Sequence, residues 1–355
     1  MTRRGVVSLV DLCGDGNSLR ALHPQDSSRS EEAGGTAGRQ TVIVTFLVGF
    51  LLVVSTMPTA GAGPMQTALR DQVLDHAVNY LCENYNESIG LICESPDAPH
   101  LKDSYWIYSD NYLSSLVLRT YDPSNLTLTR LARDIDNNMR DYLSLAGVTD
   151  PINQYMVLTE SLSLRKPPFN ASVNSDLLEK DGAWIRTTQN NQSSLLSSKD
   201  YADIAFLQAV YHHERGREDE AMCAYLDGVR LYDGRGFKDE AYYGTGGTYP
   251  HYQTYKIALY LYASKLLGQD YDIQAFYTLL EMQQPNGGFS TSYDRASLNA
   301  TGYTNTETTC LAILALNLQG SSSDSYELVY ILLVVAAVCA TLVLVFVWLK
   351  TVKKG

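Results

Sequence analysis

The sequence lacks the residue patterns by which metal sites and nucleic-acid-binding surfaces are usually recognised. It has only 6 cysteines in 355 residues, with no C-x-x-C pair and no Cys/His spacing typical of zinc. Basic residues are scarce as well: 27 stand against 39 acidic ones, which gives a formal net charge of −12. Because an acidic chain repels a phosphate backbone, we exclude nucleic acid as a partner. We also predict no metal and no cofactor.

Sustained strand alternation is missing too, whereas apolar residues recur with helical spacing through most of the chain. The helical segments are 66–84, 110–119, 126–145, 201–215, 219–232, 251–267, 272–284 and 305–318. The short loops between them predict antiparallel helical hairpins that stack side by side. The polar stretch 164–197 contains Pro167 and Pro168 and is predicted to be a long loop. The pattern therefore predicts an all-α domain.

The longest apolar run lies near the carboxyl end. Residues 328–349 contain no charged side chain, and a helix of this length spans roughly 30 Å, the thickness of a bilayer core. Lys350, Lys353 and Lys354 follow directly, and the positive-inside rule then places tail 350–355 in the cytoplasm. We therefore expect a single-pass transmembrane helix, with the membrane as a partner, a cell-membrane location and the preceding domain outside.

A second apolar run, 41–62, follows Arg39 and ends in small residues around Ala60 and Ala62. This layout predicts a cleaved signal peptide, with an uncleaved N-terminal membrane helix as the alternative. Segment 1–40 is polar and aperiodic, so we expect a disordered tail or a mis-assigned start. The extracytoplasmic domain then covers 63–320, and a Ser-rich linker, 321–327, leads to the membrane helix.

The domain carries features that suit an exported protein. Five N-x-S/T sequons predict glycosylation at Asn86, Asn125, Asn170, Asn191 and Asn299. Cys82 and Cys93 flank a short loop and are predicted to close a disulfide in an oxidising compartment. Cys223 and Cys310 lie in apolar helical patterns and are predicted to be buried thiols.

One motif resembles a known repeat. The stretch 283–289, QQPNGGF, is similar to the Q-x-x-[DN]-G-G-[FW] repeat of α/α-toroid proteins, which include terpenoid cyclases and protein prenyltransferase subunits. The Thr-rich turn 305–309 and the run LAILAL that follow resemble the start of the next inner helix in that family. Segments 88–92 and 231–237 resemble the same repeat more weakly. The resemblance implies a closed barrel of helical hairpins with a cavity at one mouth.

The resemblance does not bring the family's best-known chemistries with it. The extracytoplasmic part has no D-x-C pair for a prenyltransferase zinc site and no thioester motif. The string nearest to the cyclase motif D-x-D-D is 134–137, DIDN, and Ile135 belongs to an apolar stripe that turns both aspartates towards solvent. The α/α-barrel polysaccharide hydrolases and lyases suit the aromatic, acidic composition better.

Three acidic positions are candidates for catalysis. Asp110 lies among aromatic residues at a helix start, Asp239 follows a Gly-Phe turn, and Glu307 lies in the Thr-rich turn. Each has a structural alternative: a helix N-cap, a solvated turn and a capping-box acid respectively. Glycoside hydrolysis needs two carboxyl groups, so we take all three as candidate catalytic residues. The candidate ligand-binding residues are Trp106, Tyr108, Tyr112, His251, Tyr293, Asp294 and Asn305.

Two functions compete. The first is a tethered protein that binds carbohydrate, a polysaccharide or an envelope glycoprotein, without catalysis; it is favoured because no nucleophile, metal or acid pair stands out. The second is a polysaccharide hydrolase, or a lyase with His251 as base, that has its carboxylates at the mouth of the barrel. Convergence of two or three carboxyl groups would favour the enzyme.

Overall fold

The computed structural model describes residues 64–99, 105–148, 151, 153–159, 161–164, 168–169, 173–180, 183–190, 197–240 and 251–318. The chain divides into two compact units, 1–61 and 62–355, and all the described residues belong to the second. The predictions for segments 1–40, 41–62 and 321–355 lie outside the described residues.

Eight α-helices occupy the described residues, and they lie where the helical spacing predicts them. They are α1 Pro64–Glu83, α2 Tyr108–Tyr121, α3 Leu126–Leu145, α4 Ala202–His213, α5 Glu218–Arg230, α6 Thr254–Leu266, α7 Ile273–Glu281 and α8 Thr306–Asn317. A 3₁₀ turn, Gln154–Leu158, follows α3.

Four of the helices, α2, α4, α6 and α8, form the centre of the fold. Each is buried on nearly every side, as expected of helices that are apolar all round. Helix α8 contacts α2 and α6, α4 contacts α6, and the 3₁₀ turn contacts both α4 and α2. These contacts arrange the four buried helices and the turn in a ring.

The other helices cover this centre with one apolar face each. On α3, for example, Leu128, Ile135, Met139 and Tyr142 are buried, whereas the opposite face is polar. The side chain of Asn125 caps this helix by accepting hydrogen bonds from the backbone N–H groups of residues 127 and 128. Helix α1 has the same amphipathic pattern and packs against α8.

The prediction of an all-α fold, an α/α toroid of helical hairpins with a C-terminal transmembrane helix, is wrong, because the architecture is mixed α/β. The strands are β1 Tyr85–Asn86, β2 Leu91–Ile92, β3 Tyr105–Ile107, β4 Val173–Lys180, β5 Ala183–Asn190, β6 His251–Gln253, β7 Phe289–Asp294 and β8 Ala300–Asn305. They form three small sheets: β1–β2, β3–β5–β4 and β6–β7–β8. Strand β3 is parallel to β5, and the other pairs are antiparallel. Hairpins β4–β5 and β7–β8 satisfy the backbone groups of polar, Ser/Thr-rich segments that the sequence pattern assigns to loops.

The predicted single-pass anchor and the cell-membrane location are corrected as well. Across the helices of the described ranges, none is long and apolar enough to cross a bilayer. Segment 328–349 itself lies outside those ranges.

The sheets matter for the site because they lead directly into the buried helices. Strand β3 ends at Ile107 and α2 begins at the next residue; β6 and α6 meet in the same way at Gln253, and β8 and α8 at Asn305. Helix α4 is entered from Tyr201, which is also extended. The first turn of each buried helix is therefore held at its amino end by extended backbone.

The QQPNGGF motif joins the last part of the ring to the first helix. The side-chain amide of Gln283 donates to the backbone oxygens of Val73 in α1, at 2.8 Å, and of Gly287, at 3.0 Å. A Cβ atom on Gly287 would lie 2.3 Å from the backbone oxygen of His76, so only glycine fits there. Phe289 is fully buried. The motif is thus a packing device between the α7–β7 turn and α1.

The predicted disulfide between Cys82 and Cys93 is not formed in the structure, in which both side chains are thiols. Cys82 is half-buried, and burial raises the pKa of its thiol. Cys310 is fully buried, in agreement with its predicted place in the core, whereas Cys223 is only half-buried.

Candidate active site

Ionisable side chains occupy the first turns of all four buried helices. They are Asp110 on α2, Asp203 on α4, Lys256 on α6 and Glu307 on α8, each within three residues of its helix start. We call these four residues the first-turn cluster. Helix amino ends carry partial positive charge, which favours carboxylates there.

Lys256 joins two of the carboxyl groups. Its side chain is only 1% exposed, and its ammonium donates to Oδ2 of Asp239, which is fully buried. The same ammonium lies 3.8 Å from Oδ1 of Asp203. Asp239 also accepts a hydrogen bond from the backbone N–H of Ala202, at 3.1 Å, and so caps α4. Asp239 therefore has a structural task, which is to hold loop 231–240 to α4 and α6.

Glu307 is held by a tyrosine from the 3₁₀ turn. The hydroxyl of Tyr155 donates to Oε1 of Glu307 at 2.5 Å. Tyr155 is itself fixed, because its ring is fully buried and its backbone N–H donates to the side chain of Asn153. Burial and the Glu307 carboxyl raise the pKa of Tyr155 well above its usual range, so this hydroxyl stays protonated and can only donate to a carboxylate.

Asp110 is the most deeply buried acid on the α2 side of the cluster, with 2% of its surface exposed. Its Oδ1 accepts a hydrogen bond of 3.2 Å from the hydroxyl of Ser109. Its Oδ2 is buried and has no hydrogen-bond partner among the described residues. An unsatisfied buried polar atom is rare in native structures and calls for a specific reason.

Glu94 brings a further carboxyl group to this side. Its backbone N–H donates to the oxygen of Tyr105, at 3.1 Å, and its backbone oxygen accepts from the N–H of Thr306, at 2.8 Å. Glu94 thus bridges β3 and the start of α8, the two neighbours of Asp110 and Glu307. Its charge acts on both of these residues.

Burial dominates the electrostatics of the cluster. Burial, followed by the neighbouring Glu307 and Glu94 carboxyls, raises the pKa of Asp110 well above its usual range. Burial also raises the pKa of Glu307, and the charges of Asp203 and Glu94 add to the rise, while the Tyr155 hydrogen bond opposes it. The pKa of Asp203 is raised by burial in spite of the opposing charge of Lys256. These carboxyls are consequently driven towards their protonated forms.

The structure places the three candidate catalytic residues around one set of interacting charges. The charge of Glu307 raises the pKa of Asp110, the charge of Asp203 raises the pKa of Glu307, and the charge of Asp239 raises the pKa of Asp203. Asp110 and Glu307 lie on adjacent helices. Asp239 instead accepts hydrogen bonds from Lys256 and from the first N–H of α4. Catalysis by any of them stays a prediction.

The aromatic candidates near Asp110 are mostly core residues. Trp106 is fully buried, and its indole N–H has no hydrogen-bond partner among the described residues. Tyr108 is buried, while Tyr112 is half-buried and its hydroxyl contacts that of Thr159. Ligand binding by these residues is untested.

The remaining candidates lie around the third sheet. His251 in β6 pairs with Asp294 in β7, and its ring nitrogen is 3.4 Å from the hydroxyl of Thr301. The carboxyl of Asp294 accepts from the backbone of residues 296 and 297, which lowers its pKa. Tyr293 is fully buried, and Asn305 caps α8 by accepting from the N–H of Thr308. These contacts give the residues structural tasks, and a ligand role stays a prediction.

The sequons are only partly covered by the described residues. Asn125 and Asn299 are exposed, and Asn86 is half-buried. Asn170 and Asn191 lie outside the described ranges. Glycosylation of all five remains a prediction.

Sequence reasoning missed Asp203, Lys256, Tyr155 and Glu94. Two of them leave a signal in the sequence. Lys256 is the one charged residue in the apolar run 254–264, TYKIALYLYAS, and Asp203 is an acid at a helix start after an aromatic, the pattern that singles out Asp110. Tyr155 and Glu94 belong to irregular segments with no such signal.

Metal binding has no support in the part of the chain that the structure describes. No group of three or more His, Cys, Asp or Glu residues there is arranged to hold a metal ion. Comparison with protein-family models, with curated proteins and with solved structures finds no match to this chain.

Proposed function

We propose that this protein is an enzyme that cleaves glycosidic bonds by general acid–base catalysis at the first-turn cluster. The observation that carries the proposal is the pair Asp110 and Glu307. These are neighbouring carboxyls, Asp110 buried and Glu307 half-buried, whose pKa values are both raised, primarily by removal from water. A carboxyl that keeps its proton near neutral pH is the group that glycosidases use to protonate the leaving oxygen.

Glu307 is the residue best suited to be the acid. It is half-buried, whereas Asp110 is only 2% exposed, so Glu307 is the more accessible of the two carboxyls. The Tyr155 hydroxyl donates to Oε1, which leaves Oε2 to carry the proton. Asp203 is the second carboxyl: burial raises its pKa, but Lys256 and the hydroxyl of Tyr255, at 3.4 Å from its Oδ2, oppose that rise.

Convergence of the carboxyls favours this enzyme over a carbohydrate-binding protein without catalysis. A passive binding surface gains nothing from acids that are costly to bury. Four helices from distant parts of the chain nevertheless bring their ionisable first turns together. Costly, pKa-shifted groups of this kind are typical of active sites.

The test is to incubate the full chain with a panel of oligosaccharides and polysaccharides and to measure hydrolysis as the release of reducing ends. We expect turnover of at least one member, reduced about 10²- to 10⁴-fold in Glu307→Gln, the range for loss of a general acid. Glu281→Gln, at the exposed end of α7, is the matched control and should retain full activity. Turnover that survives in Glu307→Gln, or binding without turnover across the panel, would refute the proposal.

A further inference from the structure

The one cation of the first-turn cluster, Lys256, lies on the α4–α6 side of it. On the α4–α6 side, Lys256 compensates Asp239 and Asp203. On the α2–α8 side, none of the ion pairs in the described ranges includes Asp110 or Glu307. Two adjacent acids, Asp110 buried and Glu307 half-buried, are therefore present without an ion-pair partner among the described residues.

Asp110 has spare hydrogen-bonding capacity that points to a ligand. Its Oδ2 has no hydrogen-bond partner among the described residues, although only 2% of the residue's surface is exposed. In the ionised state a carboxylate only accepts hydrogen bonds, so the group that completes this site must be a donor. The best donor for a carboxylate in a poorly hydrated site is also a cation, because charge-assisted hydrogen bonds are the strong ones.

The arrangement of ligands selects the kind of cation. A divalent metal needs several carboxylates around one point, and no such group exists among the described His, Cys, Asp and Glu residues. An ammonium group needs less: it offers three N–H donors and can be held by one carboxylate and neutral acceptors.

We infer that the substrate is a saccharide with a free amino group, whose ammonium is bound by Asp110 while Glu307 acts on the adjoining glycosidic bond. The saccharide part of this inference rests on the proposed function. The ammonium part rests on the unpartnered Oδ2 of Asp110 and on the missing cation on the α2–α8 side.

Binding then includes a proton release. The protonated Asp110 carboxyl loses its proton to the buffer as the ammonium arrives, and the resulting carboxylate accepts hydrogen bonds from that ammonium. The groups that face Asp110 are Glu307 and the Cys310 thiol from α8, Glu94 from the segment after β2, and the Ser109 hydroxyl from α2 itself. The ammonium and the ionised Asp110 offset each other in charge, so Glu307 keeps its proton.

Calorimetric titration of the full chain tests this directly. The ligands are glucosamine oligomers, their N-acetylated counterparts and glucose oligomers of equal length, each titrated in two buffers that differ in ionisation enthalpy. We expect the glucosamine oligomers to bind at least about 10-fold tighter than the other two, the effect of one charge-assisted hydrogen bond. We also expect binding to release protons from Asp110, which shows as a heat difference between the buffers.

The variants separate this inference from the proposed function. Asp110→Asn should lose both the preference for the amine and the proton release, whereas Glu307→Gln should keep the preference and lose only hydrolysis. Glu281→Gln should behave as the wild type. Equal affinity for the three oligomers, or a preference unchanged in Asp110→Asn, would overturn the inference. If the inference fails in this way, but a neutral saccharide is still hydrolysed and this hydrolysis is lost in Glu307→Gln, the proposed function is still supported.

Spermidine, an amine without a sugar ring, is the control ligand that distinguishes an amino sugar from other amines. We expect it to bind more weakly than the glucosamine oligomers, because it lacks the hydroxyl groups that a saccharide offers to the site. Spermidine that binds as tightly as those oligomers, with the same dependence on Asp110, would overturn the assignment to an amino sugar.

Discussion

The side chain of Lys256 is as little exposed as that of a leucine in the core. Its position explains how the α4–α6 side of the site accommodates two acids. Its ammonium contacts Asp239 and approaches Asp203, while the aliphatic part lies within helix α6 among buried neighbours. A buried ion pair adds little net stability, but removing one partner leaves the other charge without compensation.

Lys256→Met, which keeps the length of the side chain without its charge, is therefore expected to be strongly destabilising. We expect the free energy of unfolding to fall by about 3–5 kcal/mol, the usual cost of breaking a buried pair. The measurement is the midpoint of urea unfolding. The double variant with Asp239→Asn should recover most of the loss, and a single variant that costs less than the double one would contradict this account.

At the scale of single elements, the helices follow from the sequence and the strands do not. Helix α3 shows its apolar stripe directly, because its outer face is solvated. Strands β7 and β8 consist largely of Ser, Thr and Tyr and lack alternation, because their pairing is fixed by the hairpin and by contacts with α6 and α8. Between β4 and β5 the sequence contains Asp181-Gly182, a pair that is typical of tight hairpin turns. The sequons and prolines of 164–197 led instead to the prediction of a long loop.

The QQPNGGF turn offers a matched pair of glycines for a test of its role. Gly287 and Gly234 both have φ of 89°, but a Cβ atom would clash with the backbone oxygen of His76 at Gly287 and would meet nothing within 4 Å at Gly234. Gly234→Ala should cost about 1–2 kcal/mol from the left-handed backbone alone. Gly287→Ala should cost a further 1–3 kcal/mol, roughly the penalty for overpacking.

Chemical denaturation of the two alanine variants measures this difference. Because the backbone strain is shared, the extra loss at Gly287 reports the contact between the α7–β7 turn and α1. Equal losses in the two variants would show that the turn does not hold α1 in place.

At the scale of the whole molecule, the site forms only when the four buried helices pack into their ring. Asp110, Asp203, Lys256 and Glu307 come from four helices spread over most of the described chain. The sequence marks Asp110 and Glu307 as acids at helix starts, yet nothing local shows that α2 and α8 are neighbours. Their convergence depends on which helices pack together, and periodicity within a helix carries no information about that.

The excess of buried carboxyls makes stability depend on pH in an unusual direction. The folded-state pKa values of Asp110, Asp203 and Glu307 are raised above their unfolded values. The folded state therefore holds more protons than the unfolded one between these values. The contribution of these three groups to stability is most favourable near or below about pH 4, the unfolded carboxyl pKa, and it is lost as pH rises through the folded-state values.

Asp110→Asn isolates one of these contributions. The amide cannot ionise, so the variant should melt at a higher temperature than the wild type at pH 8, and this gain should shrink as the pH falls to 4. Each unit of pKa elevation corresponds to about 1.4 kcal/mol. Calorimetric scans of both proteins across this pH range provide the measurement. A difference in melting temperature that is constant with pH would rule out the ionisation of Asp110 as its cause.

The contact of α1 with α8, and the hydrogen bond from Gln283 to Val73, have a consequence for how the chain is made. Among the described elements α1 leaves the ribosome first, and the helix that covers its apolar face, α8, is the last to follow. The ring cannot close stepwise from its amino end, so the early helices must wait with apolar surface exposed. Contacts between such distant parts of a chain slow folding and expose intermediates to aggregation. This protein is therefore expected to depend on chaperones that hold a nascent chain until its carboxyl-terminal helices emerge.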